Sequence, residues 1–195
     1  IFAIQPRAAD AAKYFDSIKS RMSDLGRDPD TCKILFGMQP IIGCSEAEAL
    51  ERQEEHNSLV PLDGGMAILS AHLDFDLSTI PADALMTERQ EPELYRMRTR
   101  FRKIDGNPMT VSEVAARHGQ SVGLPQFVGT PTSIADQMQA FIDEVGGDGF
   151  MLTAIHSPGA IEEFVELVVP ELQRRGIFRT QYKGTTQREI LNQND

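Results

Sequence analysis

Apolar residues fall along this chain in two rhythms. In RAADAAKYFDSIKSRMSDLG, Ala11, Phe15, Ile18, Met22 and Leu25 recur at alternating steps of four and three, which draws one stripe down a helix. Gly26 ends that helix and RDPD makes the turn. IFAIQP before it and CKILFGMQPIIG after it are unbroken apolar runs, the second too short for a globular helix and interrupted by Gly and Pro. Both read as strands, the second buried on two faces as in a parallel sheet. Ser45 and Glu48 then form a capping box for EAEALERQEEHNSLV, a helix whose polar load predicts a solvated outer face.

Residues 61–125 break the rhythm with a short apolar stretch, an acidic loop, a basic stretch and a helix near 110–118. So long an interruption reads as an insertion with structure of its own, of the kind that covers active sites. The pattern returns in FVGTPTSIADQMQAFIDEVGGDGFMLTA, which reads as loop, helix and buried strand. Thr130 is the N-cap with Pro131 at the first helical position, and Ile134, Met138, Phe141, Ile142 and Val145 form the buried face. Gly146 and Gly147 stop that helix, and DGFMLTAI is the strand after it. Ser157 and Pro158 open the last helix, with Ile161, Phe164, Val165, Val168, Val169 and Leu172 pointing inward and Gly176 at its end.

Strands alternating with helices in this way predict an α/β fold with parallel strands. Three strands leave two unpaired edges, which are poorly protected. The chain also opens at Ile1 inside an apolar run, where a domain seldom begins. Both features predict a piece of a larger sheet, completed by strands upstream or by another chain.

Composition narrows the partners. The 195 residues are 41% hydrophobic and 25% charged, enough for one ordinary core, and the formal net charge is -10. That charge repels nucleic acid and anionic lipid alike. Cys32 and Cys44, with eleven residues between them, read as reduced thiols at the ends of one strand, without disulfide or metal spacing. No signal peptide and no apolar run of the roughly 20 residues needed to cross a bilayer is present, so the expected location is the cytoplasm.

In parallel α/β folds chemistry collects at the C-terminal ends of the strands. Gln5, Gln39, Ser45, Thr153 and His156 fall there. The ordinary role of Gln5 and Gln39 is to satisfy buried backbone. His156 has no neighbour that reads as a base-orienting partner. His72 lies in LSAHLDFDLS with Asp74 and Asp76, a spacing that raises a metal but fits a structural or pocket-lining residue better. His56 and His118 read as solvated helix positions. YRMRTRFRK concentrates Arg96, Arg98, Arg100, Arg102 and Lys103 in an acidic chain, either as a solvated face paired with acids or as an anion-attracting rim. Dinucleotide, Walker, nucleophile-elbow, HExxH and CxxC signatures are absent.

VGTPTSIADQMQAFIDEVGGDGFML, with PGAIEEFVELVVPELQRRGIFRTQYKGTTQREIL after it, resembles the C-terminal portion of the bacterial-luciferase-like flavin monooxygenases. Within them it is most similar to the nitrilotriacetate/EDTA monooxygenase (component A) branch, which also holds dibenzothiophene-sulfone and long-chain alkane monooxygenases. RDPDTCKILFGMQPIIGCSEAEA and LSAHLDFDLSTIPAD extend the likeness, and the tail VVPELQRRGIFRTQYKGTT is its most specific element. TTQREIL departs from the Thr-Leu-Arg pattern more usual there.

The resemblance implies the last three βα units of a TIM (β/α)8 barrel: residues 1–60 as β6-α6-β7 and the following helix, 61–125 as an insertion over the pocket, and 126–195 as α7-β8-α8 and the tail. It implies reduced FMN supplied by a partner flavin reductase, O2 as oxidant, and a small substrate of aminopolycarboxylate, sulfone or alkane type. The expected partners are the N-terminal half of the barrel and further copies of the chain. Gln5, Phe150 and Thr153 become expected cofactor contacts, and His72, Arg98 and Arg100 expected substrate-pocket residues, the arginines favouring an anionic substrate. No residue here is assigned a catalytic or metal-binding role. Two alternatives stand beside this reading. One is an isolated fragment that binds no flavin and serves assembly; the other is a deazaflavin-dependent reductase on the same barrel.

Overall fold

The computed structural model describes residues 1–95, 101–103 and 105–192. The chain forms two compact units, Ile1–Gln53 with Pro125–Asp195, and Glu54–Leu124. Among the described residues no helix is long and apolar enough to cross a membrane.

The first unit is organised by one strand. β1 (Phe2–Ala3), β2 (Leu35–Ile42), β3 (Gln126–Gly129) and β4 (Gly149–Leu152) form a parallel sheet in which β2 pairs with each of the others. The N-terminal half of β2 takes β1, with Phe2 opposite Leu35, and β4, with Leu35 opposite Gly149 and Met38 opposite Leu152. Its C-terminal half takes β3, from Gln39 opposite Gln126 to Ile42 opposite Gly129. Pro40 is tolerated in so central a strand for a geometric reason. The Gln39 N–H donates to the Pro125 carbonyl at 3.0 Å, so the next residue is turned away from β3 and needs no donor on that side.

Strand alternation then sorts the side chains. Ile34, Phe36, Met38 and Ile42 point to a helical layer built from α1 (Ala8–Asp24), α6 (Pro131–Val145) and the last long helix. Ala11, Phe127, Ile134, Met138, Phe141, Val145, Phe164, Val168 and Leu172 complete that core. Thr130 caps α6, its hydroxyl accepting from the Ser133 N–H at 3.3 Å, with Pro131 at the first helical position and Gly146 in the left-handed conformation at the end.

The opposite end of the sheet is held by charge. The Asp148 carboxylate accepts from the Ile34 N–H at 2.9 Å and pairs with Lys19 at 3.4 Å and Lys33 at 3.6 Å. Lys19 also donates to the Pro29 and Cys32 carbonyls at 3.0 and 2.8 Å. One group of contacts thus joins α1, the entry to β2 and the entry to β4.

Several expectations change. QFVG, expected as loop, is the strand β3, additional to the three expected; four residues of mixed burial give no alternation long enough to read. Leu25 drops out of the α1 stripe and is 69% exposed, because it lies past the last helical residue. The final helix is not one regular stripe: α7 (Gly159–Glu163) passes through a π-helical turn at Phe164–Val168 into α8 (Val169–Arg174). Pro170 cannot donate and its ring crowds the carbonyl four residues back, which a locally widened turn relieves. Phe164, Val168 and Leu172 remain buried while Ile161 and Val165 turn outward.

The second unit has its own core, of Leu69, Leu73, Leu77, Ile80, Met86, Leu94, Phe101, Met109, Val111, Val114 and Ala115. α2 (Glu46–Ser58) leads into it, followed by α3 (Leu62–Leu73), the short α4 (Pro92–Tyr95) and α5 (Val111–Ser121). A full capping box starts α5, with Thr110 accepting from the Glu113 N–H and Glu113 accepting from the Thr110 N–H. α3 lies directly on α5. A methyl group on Gly65 would overlap the Ala115 carbonyl, and one on Gly119 would stand 2.7 Å from Val60 and 3.1 Å from the Gly65 Cα.

Asp148→Ala should lower unfolding stability by roughly 2–3 kcal/mol, because it strands a buried N–H and frees two ammonium groups. Asp148→Asn should cost less. A urea midpoint unmoved by the alanine variant would show that the cluster holds nothing. Gly65→Ala should cost about 1–3 kcal/mol by forcing α3 off α5, read as faster proteolysis within the second unit.

Candidate functional site

The sheet face turned away from the helical core carries a row of amides. Gln39 on β2 is 3% exposed and stands on the face opposite Met38. Its neighbour in register is Gln126 on β3, whose amide donates to the Gln39 Oε1 at 2.8 Å. Gln126 in turn accepts from the Gln53 amide of α2 at 2.7 Å. Three amides from three elements are thus joined head to tail at the middle of β2 and the start of β3, level with the C-terminal end of β4, whose Leu152 pairs with Met38. Among the described residues every fully buried side-chain nitrogen and oxygen has a partner.

The surrounding loops are held as firmly. Gly129 ends β3 at φ 149°, a conformation open to glycine, and a methyl group there would lie 2.6 Å from Ser133 Oγ and 2.7 Å from Glu46 Oε2. Glu46 Oε1 accepts from the Thr130 N–H at 3.2 Å and from its hydroxyl at 3.1 Å. Arg52 donates to the Ile42 carbonyl at 2.8 Å and pairs with Glu163 at 3.1 Å and Glu48 at 3.2 Å. Its charge is therefore spent within the scaffold. The expected capping box at Ser45 is offset by one residue. Ser45 accepts from the Glu48 N–H, but Glu48 accepts from Cys44, whose N–H holds that carboxyl below its usual range.

Thr153 follows β4 and continues its ladder, donating its N–H to the Met38 carbonyl at 2.9 Å. Gln5 lies two residues past β1 and is buried. Phe150 is on the other side of the sheet. It packs edge-on against Phe127 at 5.9 Å and against Phe141 at 5.5 Å, inside the helical layer. His156 is exposed on the loop before α7. Cys32 and Cys44 are free thiols.

In the second unit, His72 on α3 and His118 on α5 meet, with Nδ1 of His72 2.8 Å from Nε2 of His118 and the rings edge to face. His118 is not the solvated residue expected from its charged neighbours. It is half-buried, and burial together with the His72 charge lowers its basicity. His56 is also partly buried and bonds the Gln120 carbonyl at 2.9 Å. Arg96, Arg98 and Arg100 lie outside the described residues. Of the same basic run, Lys103 pairs with Glu113 at 2.8 Å and Arg102 donates to the Gly106 carbonyl at 2.8 Å.

Gln53 and Gln126 escaped sequence reasoning. Gln53 sits in a helix full of polar residues, and Gln126 opens a strand too short to read. The adjacent Pro125-Gln126-Phe127 step, a proline leading into an apolar residue, was the available signal.

No family model matches the chain. It is 34% identical to the dibenzothiophene-sulfone monooxygenase of Rhodococcus erythropolis, over 98% of this chain and 44% of that protein. It is likewise 34% identical to nitrilotriacetate monooxygenase component A of Aminobacter aminovorans, over 98% of this chain and 43% of that one. The crystal structure of DmoA from Hyphomicrobium sulfonivorans superposes with a TM-score of 0.85 at 25% identity, covering 99% of this chain and 41% of that one. The chain therefore spans less than half the length of the relatives it matches.

Gln126→Leu should cost about 1–3 kcal/mol, since it leaves a buried Gln39 oxygen without its donor. Gln53→Leu, at the half-exposed end of the row, should cost less. Equal effects in urea unfolding would argue against the row as a connected unit. For the second unit, a histidine whose basicity is lowered by folding stabilises fully at high pH and progressively less as pH falls below its ordinary value of 6.5. Hydrogen exchange in α5 should therefore speed up below pH 6.5, and His118→Gln should flatten that dependence.

Proposed function

We propose that this chain, homologous over nearly its whole length to part of the luciferase-like flavin monooxygenases and folded as part of their TIM barrel, works in a two-component enzyme that uses reduced FMN and O2 to oxygenate a small organic molecule. The observation that supports the reading is the row of glutamines on the sheet face opposite the helical core, level with the C-terminal end of β4, where Thr153 follows.

Amides fit a flavin ring well. A primary amide carries donors and acceptors of the kinds that pair with the carbonyl and N–H groups of the pyrimidine edge. The phosphate fits less well in this chain, since Arg52 is already engaged by Glu48, Glu163 and the Ile42 carbonyl. Its site is assigned to the part of the relatives that lies outside the matched length.

When bound, reduced FMN supplies the oxygen chemistry. The chain supplies position. Gln39 and Gln126 are locked to each other on a strand pair whose register cannot slip without turning its core face outward. Thr153, tied through its backbone to β2, brings a hydroxyl to the same end of the sheet. Phe150 acts from behind, stiffening β4 by its contacts with Phe127 and Phe141. Gln5 closes the rim after β1. The relative named component A supports the assignment of a separate partner, here a flavin reductase that delivers the reduced cofactor.

The test combines the protein with a flavin reductase, NADH, FMN and isotopically labelled O2, with a sulfone, an aminopolycarboxylate and a long-chain alkane as substrates. One labelled oxygen should appear in one product, only when flavin is being reduced. Thr153→Val should weaken binding of reduced FMN by roughly five- to tenfold, as for loss of one hydrogen bond. A protein that binds no reduced FMN, or a product that takes no label, overturns the proposal.

A further inference from the structure

We propose that His72 and His118 form a binding site for a divalent transition-metal ion, of the zinc, nickel or copper class. The two ring nitrogens converge from different helices to 2.8 Å, with centroids 5.0 Å apart and planes at 84°. The two facing nitrogens, both good ligands when neutral, need to turn from each other toward a shared ion to make a two-nitrogen chelate. The site lies within the second unit and is independent of the flavin reading.

The scaffold fixes the bite. α3 and α5 touch at backbone level through Gly65, Ala115 and Gly119, so the helices that carry the two rings cannot drift apart. His72 lies one residue from the end of α3 and His118 three residues from the end of α5. A tetrahedral zinc with bonds of about 2.0–2.1 Å holds its nitrogens about 3.3 Å apart. The rings therefore need to separate by roughly half an ångström from their hydrogen-bonded distance, which small side-chain rotations supply. His72 is exposed and gives the ion a path in.

A neutral imidazole keeps one nitrogen with a free lone pair, and on His118 Nε2 takes that role once the contact with His72 opens. Metal binding selects the tautomers that carry the proton on Nε2 of His72 and Nδ1 of His118. No proton is lost overall from the neutral pair. Among the described residues no group of three or more His, Cys, Asp or Glu side chains comes together. The ion accordingly takes two protein ligands and completes its shell with water, which makes the site exchangeable rather than a structural one of four ligands.

The experiment titrates the protein with zinc chloride and, separately, nickel chloride by calorimetry, while imidazole nitrogens are followed by NMR. One ion should bind per chain, with shifts at Nδ1 of His72 and Nε2 of His118. His72→Gln, an exposed position, and His118→Gln should each weaken binding at least tenfold, with folding checked by circular dichroism. His56→Gln, in the same unit, should leave it unchanged. Binding that survives His72→Gln, shifts that fall on His56 or His156 instead, or no saturable binding would each overturn the site.

Discussion

A parallel strand with neighbours on both sides must bury both of its faces, and β2 shows what that requirement dictates. Its even-numbered residues fill the space under α1, α6 and the last helix. Gly37, Gln39 and Ile41 face the other way and are buried too. A buried amide is costly unless each end finds a partner. Gln126 supplies one because β3 pairs in the register that sets it opposite Gln39, and Gln53 extends the row. The row of amides is thus a direct consequence of strand pairing, and the register that builds the core also builds the row.

The same alternation explains the apolar surface left on β1. Ala3 belongs to the helical core, so Phe2 and Ile4 face the opposite side, where they are 66% and 39% exposed. Large apolar groups on the inner face of a parallel sheet are what further barrel strands would cover. That agrees with relatives of which this chain matches 44%. Burial on the helical side is complete without them, which is why the first unit has a core at all.

Periodicity made the larger elements legible. The stripe of α6, with its Thr130 cap and Gly146 stop, and the continuous run of β2 appear in the structure as the sequence predicts. Elements of four residues or fewer were harder, because alternation needs length before it differs from chance. β3 was lost for that reason, and with it the role of Gln126. The π-helical turn was illegible for a different one: each of its residues fits a helix, and the conflict lies with Pro170 outside the turn. His118 was misjudged because charged neighbours along the helix say nothing of what packs across from it. Pairing with His72 is a fact about α3 meeting α5, which Gly65 and Gly119 hint at only once the contact is known.

Both units place their notable polar groups on packed elements rather than on loop tips, and the means differ. In the first, hydrogen-bond register holds Gln39 against Gln126, so the spacing of the amides is set by the sheet. In the second, the absence of two side chains at Gly65 and Gly119 lets backbones touch, so the spacing of the imidazoles is set by a helix crossing. A sheet register is all-or-none, since a slip of one residue exchanges the faces. A helix crossing is graded, since one added methyl group separates the helices without reversing them. Side chains held by β2 and β3 are therefore fixed to the extent that the fold exists. Those on α3 and α5 hold their spacing only while Gly65 and Gly119 keep the two backbones in contact.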